Sequence, residues 1–356
     1  MRIKGRGISL DPRPVMNAEA CRLSARAELS RLLPERNWPD EAMKEAAEAY
    51  WRRYTAHADA GWNLLYYERT GAFDERFVPS DAFYAEIDRV LNSPVPACGL
   101  SDKLLYPALF PDIAHPKTLF HKTGGCLFNA ENKPITEEEA LRLVFENGGA
   151  VLKQPVFTCG GAGVRFASPD EPDTVKQAMA LSDRLLAQAP IRQHPELARF
   201  NPASVNTVRA MTYLRENGEA VLLASVLRMG GRGSRVDNVS SGGCACGILP
   251  DGRLSSLGCS NELRRISAHP SGEAFEGSRV PGFAGIDTAV KRLHRRLPMC
   301  ALLAWDIAVG EDGEPVLIEV NIGGASIDFM QICCGPLFGE LTEEVLERVY
   351  RLPLIG

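Results

Sequence analysis

Two carboxylates and an amide near the C-terminal end of the chain have the types and spacing of a metal site. Asp306 lies in one apolar run and Glu319 in the next, on either side of Asp312-Gly313, a strong hairpin signal. If Asp312-Gly313 is a two-residue loop, Asp306 pairs directly with Glu319. Side chains alternate along a strand, so Asn321 then shares their face. Oxygen ligands in this arrangement suit a hard divalent cation, Mg²⁺ above all.

The negative charges of the two facing carboxylates must be compensated by positive charge. Directly opposed side chains lie about 5 Å apart at Cβ, and like charges there repel each other. A cation bound between them is one explanation. The alternative is a hairpin in another register with a solvated acidic face.

A glycine-rich loop after Lys153 is a second candidate site. Its glycines are Gly160, Gly161 and Gly163. Glycines let backbone N–H groups approach phosphate oxygens closely, and a nearby lysine adds positive charge. The loop is neither a P-loop nor a dinucleotide fingerprint, because G-x-x-x-x-G-K-[ST] is absent and no helix opens on it. The alternative is a glycine-rich hairpin with a lysine at its edge.

Arginines concentrate in the strand-rich part of the chain that follows. Arg209 and Arg228 lie on neighbouring predicted strands, and Arg235 follows in a segment rich in glycine and arginine. Guanidinium groups pair bidentately with phosphate or carboxylate. These arginines could therefore face a γ-phosphate or an acid substrate. Surface arginines on an exposed loop are the alternative.

The order of these motifs resembles the ATP-grasp superfamily. An aspartate on one strand and E-x-N on the next is similar to its metal-binding signature. N-P-x-S-V-N-T-x-R, V-D-N-x-x-x-G-G and W-D-x-x-V resemble a narrower group, the ATP-grasp proteins associated with sugar transfer. The similarity runs from about Trp62 to the end. One departure is Ala304, where ligases of the D-alanine type carry an arginine; either Arg228 or Arg235 would take over that role, or the substrate chemistry would differ.

The resemblance implies a role for each candidate residue. The implied metal ligands are Asp306, Glu319 and Asn321. The implied nucleotide-binding residues are Lys103, Lys153, Gly160, Gly161, Gly163, Gln188, Ile191 and Glu196. The implied catalytic residues are Arg209, Arg228 and Arg235. Gln188 and Ile191 would belong to the hinge that reads adenine, and Glu196 would bind ribose.

The resemblance also implies an activity and its cofactors, ATP and Mg²⁺. The expected protein is an ATP-dependent carboxylate–amine ligase that forms an amide or peptide bond through an acyl phosphate, in cell-surface glycan or peptide natural-product assembly. Its substrates would be a small carboxylate and an amine, such as an amino acid, a peptide or an amino sugar. An ATP-grasp kinase acting on a sugar or alcohol hydroxyl would use the same site residues. A non-catalytic nucleotide-binding partner is the third option.

Composition narrows the possible partners and location. The chain has 356 residues and a net charge of −5, so no basic excess points to nucleic acid. No apolar run is long enough for a membrane span, and the N-terminus lacks the apolar core of a signal peptide. The expected location is cytoplasmic. The ten cysteines lack zinc or redox spacing and are expected to be reduced thiols. The oligomeric state stays open, with a homodimer as one option.

The expected fold class is α/β (α+β), an ATP-grasp fold in which two α/β subdomains clasp ATP after a helical N-terminal region. The expected domains are 1–99 (helical), 100–190 (with the glycine loop) and 191–356 (with the metal hairpin). Periodicity and capping signals predict helices over 17–33, 40–60, 80–91, 100–110, 136–149, 173–187, 285–296 and 337–351. Strands are predicted over 118–129 (a hairpin), 150–157, 164–167, 207–215, 219–228, 302–309 and 316–320.

Overall fold

A computed structural model describes residues 17–156, 163–235 and 242–351. It combines helices with two antiparallel sheets, one of five strands and one of seven. The predicted α/β (α+β) class and the helical N-terminal region are confirmed. The domain boundaries stay predictions. Within the three described stretches, no helix is both long and apolar enough to cross a membrane.

The N-terminal region is built from short helices. They are α1 (Ala18–Leu32), α2 (Glu41–Arg52), α3 (Gly61–Thr70), α4 (Ser80–Ala82), α5 (Asp88–Leu91), α6 (Pro94–Leu100) and α7 (Tyr106–Leu109). A π-helical turn joins α4 to α5, and a 3₁₀ turn precedes α7. The predicted starts of the first two helices are confirmed, because Asn17 and Asp40 cap them through their side chains.

The predicted helix over 40–60 is too long. It ends at Arg52, and α3 starts only at Gly61. In between, the Thr55 hydroxyl accepts a hydrogen bond from the His57 N–H, and the Asp59 carboxylate accepts one from the Gly61 N–H. Such local side-chain bonds offer the backbone an alternative to helix, which explains the interruption.

The five-stranded sheet has the order β2-β1-β5-β3-β4. Its strands are β1 (Thr118–Thr123), β2 (Cys126–Asn129), β3 (Ala150–Lys153), β4 (Arg165–Ala167) and β5 (Arg184–Gln188). Its helices are α8 (Glu137–Glu146) and α9 (Pro172–Leu181). The predicted Gly-Gly hairpin forms between β1 and β2, and Thr136 and Glu139 make a capping box on α8.

The predicted helix over 173–187 is wrong at its end. Helix α9 stops at Leu181, and Arg184–Gln188 forms β5, the central strand of the sheet. Leu185, Leu186 and Ala187 are all buried. A short apolar run of this kind does not distinguish a buried central strand from a buried helix.

The seven-stranded sheet has the order β10-β9-β8-β7-β6-β11-β12. Its strands are β6 (Thr207–Leu214), β7 (Ala220–Met229), β8 (Cys244–Ile248), β9 (Leu254–Ser260), β10 (Arg265–Ile266), β11 (Leu302–Val309) and β12 (Pro315–Asn321). The remaining helices are α10 (Pro195–Ala198), α11 (Phe283–His294), α12 (Asp328–Cys334) and α13 (Thr342–Arg351). The sequence did not predict β8, β9, β10 or α12.

Three apolar clusters hold these layers together. One lies between the five-stranded sheet and helices α8 and α9. The other two cover opposite faces of the seven-stranded sheet, one with α11 and one with the N-terminal helices, α12 and α13. Strands β6 and β11 are therefore buried along all eight of their residues. Trp51, Trp62 and Tyr66 are buried packing residues.

Candidate active site

The predicted hairpin forms with a different loop. Gly310 N–H donates to the Glu314 carbonyl at 2.8 Å, so the loop has three residues, 311–313, instead of two. Gly313 closes it with a φ of +86°, the left-handed conformation that such loops require. The predicted two-residue loop at Asp312-Gly313 is therefore wrong.

A bulge in β12 compensates for the longer loop. Ile307 pairs with Leu317, but the next pair is Asp306 with Glu319, so β12 carries one extra residue, Ile318. The loop and the bulge shift the register by one residue each, in opposite senses. The predicted pairing of Asp306 with Glu319 is present, and the alternative of another register with a solvated face is not.

Two arginines from neighbouring strands hold the Asp306 carboxylate. Arg209 faces Asp306 across β6 and β11 and donates to both of its oxygens, from Nε at 2.5 Å and from Nη2 at 2.8 Å. Arg228 on β7 donates from Nη1 to the same oxygens at 3.3 Å. Burial alone would raise the pKa of Asp306, but the two guanidinium groups hold its pKa below the ordinary value. Asn321 Nδ2 also donates to Asp306, at 3.2 Å.

Two buried lysines from different elements interact electrostatically with Glu319, and one of them contacts it directly. The buried Lys103 donates from Nζ to Glu319 Oε1 at 2.6 Å. Its backbone N–H donates to the Pro155 carbonyl, which ties it to the segment after β3. Lys153, the last residue of β3, is also buried. Burial and the like charge of Lys103 lower the pKa of Lys153 to about 8, and Glu319 opposes that shift.

The result is a cluster of six charged side chains where the two sheets meet. Its cations are Lys103, Lys153, Arg209 and Arg228, and its carboxylates are Asp306 and Glu319. The facing carboxylates are thus compensated by the protein's own cations, so their charge alone does not require a metal. Cationic side chains beside two carboxylates can bind a polyanion that carries a metal.

The predicted metal ligands form a donor set suited to Mg²⁺. Asp306, Glu319 and Asn321 offer oxygen atoms on one face, and Mg²⁺ is usually held by one or two carboxylates together with substrate phosphates. In residues 17–156, 163–235 and 242–351, no group of three or more His, Cys, Asp or Glu side chains is arranged to hold a metal by itself. The assignment stays a prediction.

The third predicted arginine, Arg235, lies against the other sheet. Its guanidinium carbon is 4.6 Å from the ring centroid of Phe166 on β4. Strand β4 follows the glycine loop, in which Gly163 has a φ of +79°. Gly160 and Gly161 lie outside the described residues. Arg235 therefore connects the segment after β7 to the strand beside the expected phosphate loop.

The predicted adenine and ribose residues lie along the connection between the sheets. Gln188 ends β5, is buried, and donates from Nε2 to the Pro116 carbonyl at 3.3 Å. Its Oε1 is buried without a hydrogen-bond partner in the part of the chain that the structure describes. Ile191 is half-buried. Glu196 in α10 is exposed and forms an ion pair with Arg199 at 3.1 Å. Their roles stay predictions.

Comparison with known proteins decides the family. The model of the sugar-transfer-associated ATP-grasp family matches residues 83–346, about three quarters of the chain. The chain belongs to this family. Helices α1 to α3 precede the matched part. A search of curated proteins returns no match for this ATP-grasp protein.

Solved structures similar to the ATP-grasp protein include three ligases or carboxylases. Biotin carboxylase from Campylobacter jejuni is 12% identical with a TM-score of 0.48, over 74% of this chain and 49% of that chain. D-alanyl-alanine synthetase A from Vibrio cholerae is 15% identical with a TM-score of 0.42, over 76% and 66%. The ATP-grasp ligase PsnB, solved with a minimal precursor, Mg and ADP, is 15% identical with a TM-score of 0.43, over 73% and 62%. The chain spans about half to two thirds of their lengths.

The ATP-grasp protein also contains a buried polar network to which the sequence assigned no role. The motif N-P-x-S-V-N supplies Asn201, Ser204 and Asn206, which are all buried. Asn206 Nδ2 donates to the Leu197 and Asn201 carbonyls, and Gln193 Nε2 donates to the Asn201 and Ser204 carbonyls. The signal was visible as amide side chains directly before an apolar strand, but the sequence does not show which carbonyls accept from them, and those of Gly231 and Ser234 lie 30 and 33 residues away.

This network fixes the strand ends that carry the two arginines. Asn201 Nδ2 donates to the carbonyls of Gly231 and Ser234, just after β7, at 3.3 and 2.8 Å. His269 Nε2 lies 2.8 Å from the Gly230 carbonyl. Strand β6 starts directly after Asn206. The network thereby supports the start of β6, near Arg209, and the end of β7, near Arg228.

Proposed function

We propose that this ATP-grasp protein is an ATP-dependent carboxylate–amine ligase. The observation that carries the proposal is the convergence of Lys103, Lys153, Arg209 and Arg228 on the paired carboxylates Asp306 and Glu319. The cluster joins elements before and within the five-stranded sheet to the central strands of the seven-stranded one. It could therefore hold the phosphates between the two sheets and an acid beside them.

Each group in the cluster has a place in this reaction. Lys103 and Lys153 hold the phosphates of ATP. Asp306, Glu319 and Asn321 would hold Mg²⁺, which would neutralise phosphate charge. Arg209 and Arg228 orient the acid and stabilise the charge that develops on the transferring group. No side-chain nucleophile is needed, because positioning and electrostatics supply most of the rate enhancement.

The reaction has two balanced steps. A carboxylate oxygen of the acid attacks the γ-phosphorus, the bond to the β,γ-bridging oxygen breaks, and ADP leaves. The amine nitrogen then attacks the acyl carbon, the C–O bond to phosphate breaks, and a proton leaves the nitrogen. The products are an amide, ADP and phosphate. We propose an amino acid, a peptide or an amino sugar as substrates, in keeping with the family's association with sugar transfer.

Turnover assays with variants of the carboxylates test the proposal. We expect ADP release that requires both an acid and an amine, with an amide product detectable by mass spectrometry. Asp306→Asn and Glu319→Gln should each lower turnover by about 100-fold or more, because each removes a charged ligand from the phosphate-transfer site. Asp251→Asn, at an exposed turn where Asp251 pairs with Arg253, is the matched control and should keep full activity.

Other outcomes would identify the alternatives. Phosphate found on a hydroxyl acceptor, with no amine requirement, would favour a kinase. Tight ATP binding without turnover across a broad screen of acids and amines would indicate a non-catalytic nucleotide-binding protein. Near-normal turnover in Asp306→Asn or Glu319→Gln would contradict the assigned site.

A further inference from the structure

The part of strand β12 that carries Glu319 and Asn321 lies at the edge of a sheet. Strand β12 is the last of the seven strands, so one row of its backbone N–H and C=O groups points away from β11. The bulge at Ile318 lies in the same strand, and a bulge interrupts the regular ladder of hydrogen bonds. The pairing of Asp306 with Glu319 therefore depends on contacts that hold the outer edge of β12.

One phenol hydroxyl holds that edge beside Glu319. The Val320 N–H donates to Tyr106 Oη at 3.2 Å, and Tyr106 Oη donates to the Val320 carbonyl, also at 3.2 Å. The Ser101 carbonyl lies further from the same hydroxyl, at 3.5 Å. Because Tyr106 and Val320 are both buried, these backbone groups need a partner within the protein. A side chain thus takes the place of a neighbouring strand for the residue between Glu319 and Asn321.

A second contact holds the same edge on the other side of the bulge. The Leu317 N–H donates to the Ala114 carbonyl at 2.8 Å. Leu317 directly precedes the extra residue Ile318, and Val320 follows that residue by two positions. The bulge is therefore held from both sides by the segment that runs from Tyr106 to Ala114.

The ring of Tyr106 is itself held by aromatic packing. It lies edge-on to Phe110 with ring centroids 5.9 Å apart, and Phe110 lies edge-on to Trp305 at 5.5 Å. Trp305 pairs with Val320 across β11 and β12 and directly precedes Asp306. Such packing fixes the position of the ring, so that its hydroxyl can hold the strand with little freedom.

We infer that Tyr106 is a positioning residue of the candidate site, whose hydroxyl fixes the bulged end of β12 so that Glu319 and Asn321 face Asp306. In this role Tyr106 acts through the backbone of Val320. The role rests on the proposed function, since it takes the three polar side chains as the place where phosphate transfer is supported.

The variant Tyr106→Phe tests this role, because it removes the hydroxyl and keeps the packed ring. In steady-state measurements of ADP release we expect kcat to fall about tenfold, since the side chains that stabilise the transferring group are displaced. The KM for ATP should change by less than about twofold. Tyr66→Phe is the matched control. It also removes a buried phenol hydroxyl, which donates to Asp328 at 2.7 Å, and it should keep the wild-type kcat.

Two further measurements distinguish positioning from a general loss of stability. If Tyr106 acts through Glu319, adding Tyr106→Phe to Glu319→Gln should slow turnover by less than about another twofold. In the protein without ligand, amide exchange over residues 316–321 should be at least about threefold faster in Tyr106→Phe than in the wild type, because the outer edge of β12 is released. Tyr66→Phe should leave the exchange of this segment unchanged.

The outcomes separate the role of Tyr106 from the proposed function. A kcat of Tyr106→Phe within about twofold of the wild type would overturn the role, as would a further loss of about tenfold in the double variant with Glu319→Gln. Wild-type amide exchange over residues 316–321 in Tyr106→Phe would overturn it as well. If the wild type releases no ADP with any acid and amine, the proposed function fails, and the exchange measurement alone decides whether Tyr106 holds β12. Phosphate transfer to a hydroxyl instead of ligation would contradict the proposed function alone.

Discussion

At the scale of residues, Asp306 shows how a buried carboxylate is kept charged. A lone ionised carboxylate among apolar strands would be strongly disfavoured. Here the fixed forks of Arg209 and Arg228 supply several hydrogen bonds, and a guanidinium cannot lose its proton to relieve the pairing. Asp306 is therefore an acceptor whose charge is present before any ligand arrives.

The lowered pKa of Lys153 predicts a pH-dependent stability. Its pKa is about 8 in the folded protein against 10.5 ordinarily, because burial and Lys103 disfavour the ammonium. Between these pH values the unfolded chain binds the additional proton, so the free energy of unfolding rises with pH. Below about pH 8 both states are protonated, and the cost of burying the charge is fully present.

The variant Lys153→Met should therefore be more stable than the wild type at about pH 7. The difference in the free energy of unfolding between the two proteins should shrink as the pH approaches 10. At that pH Lys153 of the folded wild type is neutral, so the cost of burying its charge is gone. Urea unfolding of both proteins at about pH 7, 8.5 and 10 measures this. A difference that does not depend on pH would show that Lys153 does not titrate in this range.

At the scale of elements, the hairpin of β11 and β12 shows that a pairing can be correct while its turn is not. The Asp-Gly signal correctly marked a reversal of the chain, but it did not specify the loop length. The bulge at Ile318 restored the pairing of Asp306 with Glu319. Bulges depend on contacts with neighbouring strands and are not visible in the local sequence.

Substitution of Asn201 tests whether the polar network around it holds the end of β7 in place. Asn201→Ala would remove the buried amide that donates to the carbonyls of Gly231 and Ser234. We expect a loss of about 2–3 kcal/mol in the free energy of unfolding, from urea titration. We also expect faster amide exchange at Ser234, whose N–H donates to the Gly231 carbonyl.

A matched substitution at an exposed position gives the comparison. Asn217 accepts a hydrogen bond from the Glu219 N–H in the turn between β6 and β7, where water can replace it. Asn217→Ala should cost no more than about 1 kcal/mol. If Asn201→Ala costs equally little, the network does not hold the end of β7.

At the scale of the whole molecule, the N-terminal helices complete the seven-stranded sheet. Helices α1 to α3 lie outside the part matched by the family model, yet they belong to the cluster that covers one face of that sheet. Polar contacts reinforce the packing. Tyr66 donates to Asp328 at 2.7 Å, and Gln331 both donates to and accepts from the backbone of Val78. These contacts with the N-terminal region therefore fix the position of helix α12, which follows Asn321 after a short connection.

A chain that starts at Phe83 should therefore fail to form a stable monomer. Removal of residues 1–82 would expose buried apolar side chains of α12 and α13, such as Met330 and Leu346. We expect aggregation in size-exclusion chromatography and loss of cooperative thermal unfolding. Tyr50→Phe, which removes only the hydrogen bond to Glu343, is the control and should fold normally. A folded monomer of the shortened chain would contradict this role for the helices.

The sequence by itself determined the family, the mixed fold class and the candidates that could carry charge chemistry. Those features are local, since they depend on residue type, spacing and capping signals. The first helix cap at Asn17, the Gly-Gly hairpin and the capping box at Thr136 were predictable for the same reason.

Only the tertiary structure decided which charges meet. Lys103 and Glu319, or Arg228 and Asp306, are far apart in the chain, and their contacts depend on the order of strands and the packing of two sheets. The same holds for the strand at Arg184–Gln188, whose apolar run fits a helix or a strand until its neighbours are known. Long-range pairing sets these features, and no local pattern of residues specifies it.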